Sequence, residues 1–243
     1  MSRVNPVWFN ANWAKNALEL YEGVSKHAAE LNVGFGFFFG LTQKFSLDSV
    51  VIETCKLFDT SNERYEKNTV PALCDYLTTH LTNDYIPRLD VEKLTRLGIP
   101  NIEAERMLRE ISAEQDLENT KVDILSQVRN LMPTRSNNPH LEKLFLFRNK
   151  VTAHSERLNE VLTEELRNLP SIDEIEKIVK WANNFCQFAV CVMTPSTAYV
   201  NSSKSARMAA LNVAKKVLDK NFDDPSKTVA ENSAAQEVFY SRL

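Results

Sequence analysis

The stretch LEKLFLFRNKVTAHSERLNEV, residues 141–161, decides the fold class of this chain. Its apolar side chains recur at every third or fourth position, which is the spacing of the buried face of a helix. His154 falls on that face, where a plain helical bundle would have leucine or alanine. We therefore predict a helix over residues 140–168 that ends before Pro170. Its buried face comprises Leu144, Phe147, Val151, His154, Leu158 and Val161.

Glycine is scarce in the chain, with only five among 243 residues. Sheet proteins need glycine at their tight turns, and barrels and doubly wound sheets need it in the loops between strands and helices. Hydrophobic residues make up 43% of the chain and charged residues 25%, which is typical of a globular domain with a sizeable core. We therefore predict an all-α fold, a helical bundle with an additional long helix and a C-terminal helical tail.

Helical periodicity divides the chain into a bundle over residues 1–200, with a possible helical insertion at about 90–135, and a tail over 201–243. Ser171 and Glu174 form a capping-box pattern at the start of the last bundle helix. The phenylalanine-rich second helix is expected to be buried nearly all round, and Trp8 and Trp13 are expected in the core. The predicted helices cover residues 6–31, 35–58, 69–81, 90–97, 101–131, 140–168 and 172–193.

Composition excludes several classes of protein. The net charge of −3 excludes a uniformly basic nucleic-acid-binding surface but leaves room for a local basic groove. The four cysteines include no CxxC pair, so we expect reduced core thiols, no disulfide framework, no metal site and no cofactor. The chain has no signal-peptide pattern and no apolar run near the roughly 20 residues that span a bilayer. We therefore expect a cytoplasmic protein without a membrane partner.

Arg148 and His154 lie close together on the predicted helix. They are six positions apart, which places them about 9 Å apart along the helix axis and about 120° apart around it, with Val151 midway. Arg148 is long enough to lean toward His154 around a shared anion, and Lys150 lies one turn before the histidine. Residues 135–154 hold four Arg or Lys against one acid, which gives a local basic surface suited to phosphate.

The pattern of Arg148, five intervening residues and His154 resembles the R-x4-6-H signature of the HEPN superfamily. The residues Leu57-Phe58-Asp59 and the polar loop after them look like the bacterial abortive-infection branch. Members of that branch carry the string RxKxxAH, which is matched here by Arg148, Lys150, Ala153 and His154. The resemblance covers roughly residues 7–193 and leaves the helix near 101–131 and the tail after 200 unassigned.

The resemblance implies a metal-independent endoribonuclease that acts in antiphage defence or as the toxin of a toxin–antitoxin pair. It also implies a homodimer in which two Arg/His helices form one composite RNA cleft, and a possible antitoxin or regulatory partner. His154 would move the protons of the reaction and Arg148 would bind the scissile phosphate. Asn149 is the polar residue that HEPN proteins often have after the arginine. It points about 140° from His154, so within one subunit it does not reach the histidine.

Other interpretations of these residues stay open at this point. His154 is also explained as a core histidine bonded to a carbonyl, with Arg148 paired to Glu142 or to the surroundings of Asn149. Asp59 is either a residue of the site or simply the residue that stops a helix, and we interpret it as the latter. On the functional side, the chain is alternatively a catalytically inactive HEPN domain that binds RNA, nucleotide or a partner protein. A third interpretation is a helical scaffold in which Arg148 and His154 have no joint role.

Overall fold

The computed structural model describes residues 4–60, 68–81, 88–113, 117–153 and 169–193, with the backbone alone at 29–35 and 150–153. All regular secondary structure in these ranges is helical, which confirms the predicted all-α fold. The helices are α1 Val4–Ser25, α2 Ala28–Phe58, α3 Val70–His80, α4 Val91–Thr95, α5 Asn101–Ser112, α6 Leu117–Leu131, α7 Pro139–Ala153 and α8 Ile172–Met193.

The described residues fall into two compact units, one formed by residues 4–15 and 50–193 and the other by residues 16–49. Helix α8 is central to the first unit, where it packs against α3, α4 and α7. Asn183 ties it to α1, because its buried side-chain amide donates to the carbonyl of Ala11 at 3.0 Å. The apolar core face of α8 consists of Ile175, Ile178, Val179, Ala182, Phe185, Phe188, Ala189 and Val192.

Helix α8 begins where its sequence predicts. The backbone N–H of Ser171 donates to the Glu174 carboxylate at 2.8 Å, and the backbone N–H of Glu174 donates to the Ser171 hydroxyl at 3.4 Å. This reciprocal pair satisfies two backbone donors that a helix start leaves without intrahelical partners. The predicted capping box is therefore confirmed.

The single long helix predicted over residues 101–131 is wrong, because the chain folds back on itself between α5 and α6. Arg106 and Asp123 are 17 positions apart, which in one straight helix would separate them by about 25 Å. Their side chains instead meet at 2.7 Å. The reversal brings two apolar helix faces onto the bundle, and α6 also packs against α3. No glycine or proline marks the reversal in the sequence.

The boundary between the first two helices also differs from the prediction. Helix α1 ends at Ser25 and α2 begins at Ala28, so the break is several residues before the expected one. A turn at Lys26 and His27 forms it, with backbone bonds back to Glu22 and Val24. The predicted break lay at residues 32–34, and α2 continues through them and through the glycines at 34 and 36.

Helix α2 is not buried all round. Its C-terminal part is buried through Val50, Cys55 and Leu57, as expected. Farther toward its N-terminus, Phe37, Phe38 and Phe45 are 58%, 59% and 62% exposed, against the prediction. Trp13 of α1 is likewise exposed, and its ring stacks on that of Phe9. Each helix has more large aromatic side chains than one covered face can bury. The number of apolar residues in the sequence therefore overestimated how many lie in the core.

The described helices include none that is both long enough and apolar enough to cross a membrane. The predicted tail over residues 201–243 lies outside the described residues. The division of the chain into a bundle and a tail therefore stays a prediction.

Candidate functional site

Helix α7 carries the candidate site, and its start is fixed by the loop before it. The Asn138 side-chain oxygen accepts from the backbone N–H groups of His140 and Leu141, at 3.0 and 2.9 Å. This is an N-cap, and Pro139 follows it at a position where proline loses no hydrogen bond. Leu141, Leu144, Phe145 and Phe147 are buried, so the rotation of α7 about its axis is set by the core.

Arg148 is held by an acid from another helix. Its Nη1 lies 3.1 Å from Oδ2 of Asp59, the residue directly after α2. The two side chains are 22% and 26% exposed. A guanidinium with so little exposure needs polar partners to offset the loss of water, and Asp59 is such a partner. A residue interpreted from the sequence as a helix stop therefore belongs to the surroundings of the candidate site.

Asn149 and Phe145 also contact the guanidinium of Arg148. The Asn149 side-chain oxygen accepts from Nε and Nη2 of Arg148, at 3.3 and 3.2 Å. The Arg148 Cζ also lies 4.7 Å from the centroid of the Phe145 ring, which is a cation–π contact. Phe145 is one turn closer to the helix N-terminus, and the guanidinium of Arg148 lies over its ring. His154 lies outside the described residues, so an approach of Arg148 toward it around a shared anion stays a prediction.

A cysteine lies one turn before Asp59 on α2. Cys55 is fully buried, and this burial raises the pKa of its thiol to about 12, although Arg148 acts in the opposite direction. The thiol is therefore protonated at neutral pH and is a poor nucleophile. Its role next to the Arg148–Asp59 pair is packing.

The structure locates part of the predicted site. Arg148 and Asn149 are brought together, and Asn149 contacts the arginine of its own subunit. His154 and the side chain of Lys150 lie outside the described residues, so their placement stays a prediction. The suggested pairing of Arg148 with Glu142 is wrong, because Glu142 binds Arg135 at 2.6 Å. Two sequence signals pointed to Asp59: its position directly after a helix with a buried end, and the resemblance of Leu57-Phe58-Asp59 to the abortive-infection branch.

A comparison with protein-family models shows to which family this chain belongs. The model of the family HEPN_AbiU2, described as AbiU2, matches residues 7–197. The chain belongs to the HEPN_AbiU2 family. It is a HEPN domain of the abortive-infection type, as the resemblance predicted. The match includes α5 and α6, which the resemblance left unassigned.

Neither the comparison with curated proteins nor the comparison with solved structures gives a match to this chain. The matched range contains Arg148, Asn149, Lys150 and His154.

Proposed function

We propose that this HEPN_AbiU2 protein is a metal-independent endoribonuclease that cleaves RNA by attack of a ribose 2′-OH. The observation that carries the proposal is the fixed guanidinium of Arg148, held between Asp59, Asn149 and the Phe145 ring. It lies six residues before His154, in the spacing typical of HEPN ribonucleases. Family membership supports an RNase that acts in abortive infection.

The residue types suit each step of this reaction. The 2′-oxygen attacks phosphorus and forms a P–O bond, while its proton goes to a base. The P–O5′ bond breaks, the 5′-oxygen takes up a proton, and a 2′,3′-cyclic phosphate remains on the upstream product. A histidine that titrates near neutral pH exchanges such protons, and we assign this role to His154. Arg148 binds the phosphate and stabilises the charge that develops on it.

We further propose that the active form is a homodimer. One subunit offers one Arg148 and one His154, and a two-fold axis would bring a second pair to the same RNA cleft. A toxin of this kind would also need a restraining partner, such as an antitoxin, in the cell that makes it.

The test is an RNA cleavage assay in excess EDTA. The wild-type protein is expected to cut RNA, and His154→Ala is expected to lose at least about a hundredfold in rate, the usual contribution of a general acid–base residue. His80→Ala is the matched control, because His80 is an exposed histidine stacked on Tyr76 and lies in no proposed site. Equal rates for His154→Ala and the wild type would contradict the proposal.

The same assay separates cleavage from binding alone. A catalytically inactive HEPN domain would retain RNA on a filter or gel and leave it uncut, with or without Mg²⁺. A helical scaffold would neither retain nor cut it. Either result would replace the endoribonuclease proposal.

A further inference from the structure

We propose that Arg135 is a second phosphate-binding residue, which holds the RNA backbone next to the phosphate at Arg148. This inference rests on the proposed function, because it concerns the substrate of that same site. Arg135 lies in the loop before α7. It is distant from Arg148 and His154 in the sequence but lies close to Arg148 in space. Phe145 is the residue that joins the two arginines.

Both guanidinium groups lie on one aromatic ring. The Cζ of Arg135 is 5.0 Å from the centroid of Phe145, and the Cζ of Arg148 is 4.7 Å from the same centroid. Their separation cannot exceed the sum of these two distances, which is a span that neighbouring phosphates of one RNA strand can bridge. The arginine–aromatic contacts also fix both groups in position before any RNA is bound.

The loop that carries Arg135 is itself well ordered by local hydrogen bonds. The backbone N–H of Thr134 donates to the Asn137 side chain at 2.7 Å, and the backbone N–H of Asn137 donates to the Thr134 hydroxyl at 3.2 Å. The Asn137 amide also donates to the carbonyl of Met132 at 3.0 Å. Arg135 therefore extends from a defined turn, with half of its side chain exposed to an incoming anion.

Glu142 is the group with which a phosphate would compete. It binds Arg135 through two hydrogen bonds, of 2.6 and 2.9 Å, in the fork geometry that a phosphate also adopts. The same bonds lower the pKa of Glu142, so its carboxylate stays charged at neutral pH. It would repel a phosphate that approaches Arg135, so Glu142 should weaken RNA binding. Removal of its charge is therefore expected to raise the RNA affinity, whereas loss of Arg135 is expected to lower it.

The experiment measures RNA affinity in the full-length His154→Ala protein, so that cleavage does not interfere. A short single-stranded RNA is titrated at several salt concentrations. Arg135→Ala is expected to lower the affinity about fivefold at 0.1 M salt and to reduce the slope of log affinity against log salt by about 0.7, the effect of one lost phosphate contact. Arg129→Ala is the matched control, because Arg129 pairs with Asp75 across two helices and is equally exposed. It should leave the slope unchanged.

The variant Glu142→Gln shows whether Arg135 binds phosphate or only holds the loop on α7 through its ion pair with Glu142. If Arg135 binds phosphate, Glu142→Gln raises the RNA affinity while Arg135→Ala lowers it. If the Arg135–Glu142 pair only holds the loop on α7, both variants lose the same contact and change the affinity in the same direction, or not at all. That result would overturn the proposal. Thermal unfolding of both variants checks that a weaker RNA affinity is not a loss of folded protein.

The two proposals fail in different ways. Opposite shifts of affinity in Arg135→Ala and Glu142→Gln, together with no cleavage by the wild type, would leave Arg135 as an RNA-binding residue of an inactive domain. Cleavage by the wild type with no effect of either variant on affinity would leave the endoribonuclease and remove the second phosphate contact.

Discussion

Arg148 is placed by contacts that exist before RNA arrives. Most of its side chain is buried, and a charged group in that position is stable only when polar partners replace its lost water. Asp59 and Asn149 supply those partners, and Phe145 supplies a ring face. A guanidinium fixed in this way loses little further freedom when it binds a phosphate. We therefore regard Asp59 as a positioning residue of the proposed site.

The interaction energy between Asp59 and Arg148 can be obtained from the free energies of unfolding of the wild type and its variants. A double-mutant cycle with Asp59→Asn and Arg148→Gln should give a coupling of roughly 1–2 kcal/mol, between the values of exposed and of fully buried ion pairs. Urea unfolding of the four proteins provides it. The more exposed Asp75–Arg129 pair is the control and should show a smaller coupling. Equal couplings for the two pairs would mean that Asp59 does not hold Arg148.

The sequence predicts Arg148 from its spacing to His154, but it does not predict that Asp59 contacts Arg148. The two residues are 89 positions apart, and their contact depends on how α2 and α7 are placed in the fold. The periodicity of apolar residues indicates which face of a helix is buried. It does not indicate which other helix ends next to Arg148. A tertiary pairing of this kind therefore had to come from the structure.

At the scale of helices, the predictions succeed where the signal is local. The capping box of α8 and the loop before α7 involve residues within a few positions of each other, and both occur where the sequence places them. The reversal between α5 and α6 depends on which apolar faces can reach the core together. It has no glycine or proline to mark it, so a local interpretation merged the two helices.

Two neighbouring asparagines on α8 test how it is tied to the bundle. Asn183 is buried and donates to the Ala11 carbonyl, whereas Asn184 makes a similar bond of 2.9 Å to the Arg96 carbonyl at an exposed position. Asn183→Ala should lower the free energy of unfolding by about 1–3 kcal/mol, because the buried bond and its packing are lost together. Asn184→Ala should change it by less than about 1 kcal/mol, because water replaces the bond.

Denaturant unfolding of the two asparagine variants compares them directly. A larger loss in Asn184→Ala than in Asn183→Ala would contradict the view that the buried Asn183 bond to Ala11 holds α8 on α1.

At the scale of the molecule, the four cysteines report on how tightly the core is closed. Cys55, Cys74 and Cys186 are buried, whereas Cys191 is partly exposed and its thiol donates to the Arg88 carbonyl at 3.3 Å. Burial raises the pKa of all four thiols. A thiol must be both reachable and deprotonated to react. The fold should therefore protect three cysteines and leave one slowly reactive.

Alkylation at pH 8 followed by mass spectrometry tests this order. The native protein should first take up one label, at Cys191, and the other three only after unfolding. Cys191→Ser should abolish the first label and serve as the control. Early labelling of Cys55 would mean that the core beside Arg148 opens in the native state.

The raised thiol pKa values also give the stability of the fold a pH dependence. A buried thiol that stays protonated in the folded protein ionises more readily in the unfolded chain. The contribution of Cys55 is therefore complete below its ordinary pKa of 9.0 and is lost as the pH rises toward about 12. Urea unfolding should show a falling free energy above pH 9, and less of a fall in Cys55→Ala. A free energy that stays constant from pH 8 to 11 would contradict it.

The central claim is that Arg148 and His154 catalyse RNA cleavage through the 2′-OH without a metal. The most direct measurement compares one RNA with the same strand carrying a 2′-deoxyribose at the mapped cleavage position, in EDTA, with product ends identified by mass spectrometry. We predict that the RNA yields a 2′,3′-cyclic phosphate, that the deoxy-substituted strand stays whole at that position, and that His154→Ala cuts neither. Cleavage of the deoxy-substituted strand at that position, or cleavage by His154→Ala at the wild-type rate, would contradict the account.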